Sequence, residues 1–79
     1  MRYRLELVLR PAEGALLRVL GTAERRGFAP LAIDGRRAGD PDGPWHLALT
    51  VQGPRPPAPL QRQLADLHDC LSVEIAPCP

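Results

Sequence analysis

From Tyr3 to Leu9 the apolar residues Tyr3, Leu5, Leu7 and Leu9 alternate with Arg4, Glu6 and Val8. A period of two puts one set of side chains on one face of a strand, so this segment is predicted as the first strand. Arg10-Pro11-Ala12-Glu13-Gly14 breaks the alternation. Beyond it Leu16, Leu17, Val19, Leu20 and Ala23 recur at helical spacing, with Arg18, Glu24 and Arg25 outside the stripe, which predicts a first helix. Arg25-Arg26 followed by Gly27 marks its end. Cations favour the negative end of the helix dipole, and glycine readily takes the positive φ required just past it.

A second strand is predicted over residues 28–34, with Ala29, Leu31 and Ile33 on one face. Pro30 cannot donate to a ladder, which confines this strand to a sheet edge. Residues 35–44, rich in Gly, Pro and Asp, read as the long loop of a hairpin. Trp45, Leu47, Leu49 and Val51 then alternate with His46, Ala48 and Thr50 as a third, central strand. The proline-rich stretch 53–59 reads as a connector rather than a polyproline recognition segment, because it lies between two patterned elements of a very short chain. Pro59 suits the first turn of a second helix, striped by Leu60, Leu64 and Leu67. Leu71, Val73 and Ile75 mark a fourth strand.

The order β-α-β-β-α-β predicts an α+β, ferredoxin-like sandwich: a four-stranded antiparallel sheet, strands one and three central, with both helices on one face. The helix side should carry Tyr3, Leu5, Leu7, Leu9, Trp45, Leu47, Leu49, Val51, Leu71, Val73 and Ile75. The other side presents Arg4, Glu6, Val8, His46, Ala48, Thr50, Ser72 and Glu74, a mixed surface fit for water or a partner.

A length of 79 residues allows one domain, residues 1–79. A chain this short buries only about 60% of its unfolded surface, so self-association is expected to help it. The formal charge of +1 gives no pull toward nucleic acid or an anionic membrane. All ten basic residues are Arg, which reads as coding bias of a GC-rich genome. No apolar run reaches the roughly 18 residues of a membrane helix, and no signal-peptide block opens the chain, so a cytoplasmic location is expected. Cys70 and Cys78 cannot make a secreted-type disulfide framework and are expected as thiols.

Catalysis requires a nucleophile beside a base, or paired carboxylates in a pocket, and neither pattern is present. His68-Asp69-Cys70 brings three reactive types together, but with no second cluster to complete a metal site. An RNA-recognition motif shares the element order, yet requires aromatic side chains on the open sheet face. The Cys-x-x-Cys pair of metal-carrying relatives of this fold is missing from the first strand-to-helix loop, and so is the glycine-rich cradle of acylphosphatases. No catalytic or metal residue is therefore assigned. The turn into the first helix remains: Glu13, Gly14, Ala15 and Leu16 offer backbone amides at a positive helix end, where a ligand carboxylate can bind. The same residues also read as a plain turn whose glycine eases chain reversal.

Glu13-Gly14-Ala15-Leu16-Leu17-Arg18-Val19, Arg25-Arg26-Gly27-Phe28, Leu49-Thr50-Val51 and the leucine-striped segment from Leu60 to Leu67 together resemble the ACT domains. In particular they resemble the short regulatory subunit of acetolactate (acetohydroxyacid) synthase in branched-chain amino acid biosynthesis. The resemblance spans almost the whole chain and rests on the order and spacing of individually weak segments. It implies a homodimer that docks on the catalytic large subunit and raises its activity. Thiamine diphosphate, magnesium and FAD would belong to that subunit, with no cofactor on this chain.

In feedback-controlled members valine sits between two ACT domains, held by backbone amides of the first strand-to-helix turn and by an Asn after the Gly-Phe pair. Carried over, that amino-acid site would comprise Glu13, Gly14, Ala15, Leu16, Ala29 and Pro30. Here the family's Pro before Gly is Glu13, and Ala29 stands where the Asn is expected. The resemblance therefore implies weak valine sensitivity or none. The alternative is a free-standing ACT module that senses an amino acid or another small ligand for an unrelated partner.

Overall fold

A computed structural model describes residues 1–37, 39 and 43–78. The elements follow as β1 (Arg2–Leu9), α1 (Ala15–Arg25), β2 (Ala29–Arg37), β3 (Trp45–Gln52), α2 (Ala58–Ala65) and β4 (Cys70–Pro77). All pairings are antiparallel and the strand order is β2-β3-β1-β4. This is the ferredoxin-like arrangement expected from the alternation, with β1 and β3 central and β2 at an edge. Part of the loop assigned to residues 35–44 falls at 38 and 40–42, outside the described residues.

The core is the helix-facing set of the two central strands. Tyr3, Leu5, Leu7, Leu9, Leu47, Leu49 and Val51 are buried against Val19 and Ala23 of α1 and Leu60 and Leu64 of α2, with Phe28 joining them. Each such side chain removed from water contributes about 1.5–3 kcal/mol. Helix α1 ends as its sequence predicts. The Phe28 amide donates to the Ala23 carbonyl at 3.0 Å and the Gly27 amide to that of Glu24 at 3.0 Å, a Schellman arrangement closed by Gly27 at φ +87°. The Phe28 ring then meets Tyr3 edge-on, with centroids 6.2 Å apart. Phe28 thus anchors the helix end instead of opening the strand.

Four expectations need correction. Strand β2 runs on to Arg37, because Gly35, Arg36 and Arg37 pair with Leu47, His46 and Trp45; the Arg37 guanidinium lies 5.3 Å from the centroid of the Trp45 ring. Ala29, Leu31 and Ile33 do not share a face. Pro30 lies opposite Val51 and Ala32 opposite Thr50, so the register shifts at Leu31, and Ile33 comes to lie opposite Leu49. Leu71 is not in the core: Val8 pairs with Ser72 and Leu9 with Cys70, which leaves Leu71 as the extra residue and turns Cys70 inward. Leu31 and Leu71 are each 49% exposed. Single-residue bulges of this kind are frequent on edge strands. Leu17 also departs from its expected stripe and is 74% exposed.

Candidate functional site

The turn between β1 and α1 is built by short-range bonds. The Ala12 amide donates to the Arg10 carbonyl at 2.8 Å and the Ala15 amide to that of Ala12 at 3.2 Å. Of the four amides expected to face a ligand, that of Ala15 is therefore already bonded. Gly14 takes φ +77° as the residue preceding α1, with no side-chain cap. Here glycine is needed twice over: the left-handed backbone disfavours a side chain, and a Cβ would lie 2.9 Å from Nη1 of Arg18.

Arg18 dominates this corner. Its Nη2 donates to the Glu13 carbonyl at 2.8 Å and its Nε to Oδ2 of Asp69 at 2.6 Å, and the pair forms a salt bridge. Asp69 is only 4% exposed, while the Arg18 side chain remains 48% exposed. The Asp69 carbonyl also accepts from the Arg10 amide at 2.7 Å. The α2–β4 turn is thus clamped onto the β1–α1 turn, and one guanidinium lies across the segment that would receive a carboxylate. Sequence reasoning considered Asp69 only as part of a reactive triplet and missed this role. An ion pair between residues 51 positions apart leaves no local spacing by which to find it.

The six candidate residues fall in two places. Glu13, Gly14, Ala15 and Leu16 lie at the end of the sheet where Leu9 meets Trp45; Ala29 and Pro30 lie at the other, where Ala29 pairs with Gln52 and Gln52 with Arg2. Within one chain they do not meet.

Two concavities lie elsewhere on the described surface. The open sheet face forms a shallow hollow of about 470 Å³ in which Arg4, Arg36 and His46 flank Glu6, Asp34 and Glu74. Arg4 pairs with Glu6 at 3.3 Å, both more than half exposed, a contact worth little in water. A smaller cleft of about 140 Å³ lies beyond the C-terminal end of α1. Among the described residues no group of three His, Cys, Asp or Glu side chains could hold a metal ion, and no helix is long and apolar enough to cross a membrane.

Comparison with known proteins identifies the pattern. A family model described as ACT domain matches residues 11–73. No curated protein sequence matches. Among solved structures, the ACT domain of GTP pyrophosphokinase from Chlorobium tepidum is similar at TM-score 0.77 and 14% identity, with 96% of this chain and 97% of that chain covered. The C-terminal domain of the MgtC protein of Mycobacterium tuberculosis is similar at TM-score 0.70 and 18% identity, with 98% and 86% covered. An uncharacterized protein of Thermotoga maritima gives TM-score 0.70 and 16% identity, with 99% and 96% covered. At these identities the likeness is one of fold.

Proposed function

The chain belongs to the ACT domain family, whose members are small-ligand regulatory modules rather than catalysts in their own right, and from that premise we propose that it is a non-catalytic activating subunit of acetolactate synthase with little or no response to valine. The ordered segments around Gly14, Gly27 and Leu60 support the synthase. The observation that carries the weak valine response is the β1–α1 turn, where Arg18 lies over Gly14 already paired with the buried Asp69. Glu13 adds a negative charge where an amino acid's carboxylate would approach, and Ala29 has no side-chain amide to offer. Thiamine diphosphate, magnesium and FAD are held by the catalytic large subunit in this reading.

A homodimer belongs to the same proposal. Leu17, Leu31 and Ile33, each at least 49% exposed, lie on α1 and the neighbouring edge strand β2. A second copy is also what can bring Ala29 and Pro30 to the turn at Gly14. Co-expression with the catalytic large subunit of the same genome is expected to yield a co-purifying complex with raised synthase activity, little changed by millimolar valine. Absence of a complex and of activation overturns the synthase reading. A micromolar valine dissociation constant by calorimetry overturns the insensitivity alone.

A second reading, a free-standing ACT module that senses a small ligand for an unrelated partner, is favoured by the apolar cleft at the other end of α1. A thermal-shift screen against amino acids and small carboxylic acids separates the two, because a ligand bound only by the folded form raises Tm.

A further inference from the structure

The cleft between the end of α1 and the start of α2 is distant from the β1–α1 turn and chemically unlike it. Its lining is Arg26, Phe28, Arg55, Pro56, Pro59 and Leu60. Phe28 and Leu60 are core residues and form an apolar floor. The volume of about 140 Å³ is close to that of the engineered cavities, about 150 Å³, that accept benzene. A phenyl ring or a short branched alkyl chain fits it.

Two arginines, Arg26 and Arg55, border the cleft. Among the described residues neither Arg26 nor Arg55 makes an ion pair or a side-chain hydrogen bond. The stem of Arg55 runs along Gly27, where its Nε would lie 3.4 Å and its Cδ 3.7 Å from a Cβ built on that glycine. The first turn of α2 adds the positive end of its dipole. Pro57 precedes that helix without a side-chain cap, and the first turn carries no acidic residue. Two like charges beside an apolar floor favour an anion that carries a hydrocarbon tail. Arginine in particular suits a carboxylate, through paired, charge-assisted hydrogen bonds.

No side chain of the lining is a carboxylate, amide or hydroxyl. The ammonium group of an α-amino acid would find two cations and no acceptor side chain. We propose that this cleft binds a small carboxylic acid with a branched or aromatic hydrocarbon tail and no ammonium group, the class that includes branched 2-oxo acids and benzoate. The site is independent of the Gly14 turn and of the enzyme on which the domain docks. Its consequence is mechanical: the ligand bridges the end of α1 to the start of α2 and fixes the two helices to one another.

The test is a two-dimensional amide NMR titration of the whole chain with 4-methyl-2-oxopentanoate, benzoate, leucine and, as a tail-less control, acetate. Saturable shifts centred on Gly27, Phe28, Arg55 and Leu60 are expected for the first two, with leucine and acetate weaker by at least about tenfold. The Arg26→Gln/Arg55→Gln double variant should keep a folded spectrum and lose at least about tenfold in affinity, and an Arg26→Lys/Arg55→Lys variant should recover part of it. Shifts centred on Gly14, equal binding of leucine, unchanged binding by the glutamine variant, or no saturable shift with either acid would each overturn the proposal.

Discussion

The two ends of α1 use the same residue type for opposite purposes. At the N-terminal end Arg18 is tied to a buried carboxylate and a backbone carbonyl, so its charge serves the fold. At the C-terminal end Arg26 and Arg55 border an apolar cleft, and among the described residues their side chains make no ion pair. A cation balanced inside the chain positions its neighbours. One left unbalanced at the edge of an apolar hollow is available to a ligand. The difference is set by Asp69, present at one end and without an equivalent at the other.

The largest effect should come from breaking the balanced end. Asp69→Ala removes a carboxylate that is 4% exposed and cuts the side-chain link between the two turns, leaving the backbone bond from the Arg10 amide in place. Loss of these charge-assisted bonds costs about 2 kcal/mol, below the cost of stranding a buried charge, because the half-exposed Arg18 regains water. For a chain of this length the fall in Tm should be at least about 8 °C by calorimetry. A fall under about 3 °C would mean that the clamp contributes nothing beyond a surface pair.

Next come the two glycines that flank α1, both at positive φ. Gly27→Ala should cost about 1 kcal/mol for the left-handed backbone alone, since its nearest neighbour is the flexible stem of Arg55. Gly14→Ala should cost about 1.5 kcal/mol, because the new Cβ also displaces Arg18. Urea denaturation of both, repeated in an Arg18→Ala background, should make the two costs equal. If Gly14→Ala stays the costlier there, Arg18 is not the cause.

A smaller effect sits beside Asp69. Burial pushes the Cys70 thiol above its ordinary pKa, and a hydrogen bond with the backbone at Ser72 offsets only part of that. The folded chain therefore holds this proton more tightly than the unfolded one. The associated stability is intact below the unfolded thiol's pKa and is lost as pH rises through the folded value. Urea midpoints should decline on the alkaline side, and less steeply in Cys70→Ser; identical slopes would remove the thiol from the account. The smallest change in stability belongs to the unbalanced end. Arg26→Gln and Arg55→Gln should each shift it by no more than about 0.5 kcal/mol, and a larger loss by thermal unfolding would show that these charges serve the fold after all.

The sheet order and the end of α1 are readable in the sequence, because alternation in β1 and β3 and the Arg-Arg-Gly stop of α1 are local signals, whereas α2 ends at Ala65 and leaves Leu67 of the expected stripe beyond it. Leu31 and Leu71 are not readable in the same way. A bulge depends on what the partner strand presents, and Leu71 satisfies the alternation while Cys70 takes its place. Gly35 to Arg37 looks like loop until Trp45 is known to stack on Arg37. Of the site, Gly14 was visible as a turn residue, but its neighbour in space, Asp69, comes from the far end of the chain. The separation of Ala29 and Pro30 from Glu13 follows from strand topology and has no trace in residue spacing.

The central place of β1 has a consequence in time. Leu5 pairs with Leu49 and with Ile75, residues 44 and 70 positions later in the chain. At about 5–20 residues per second on the ribosome, the first strand made waits roughly 3–14 seconds for the last. Throughout that interval the edge of β1 that receives β4 has no strand to pair its amides and carbonyls. β4 is thus the element whose synthesis closes an open strand edge in the middle of the sheet.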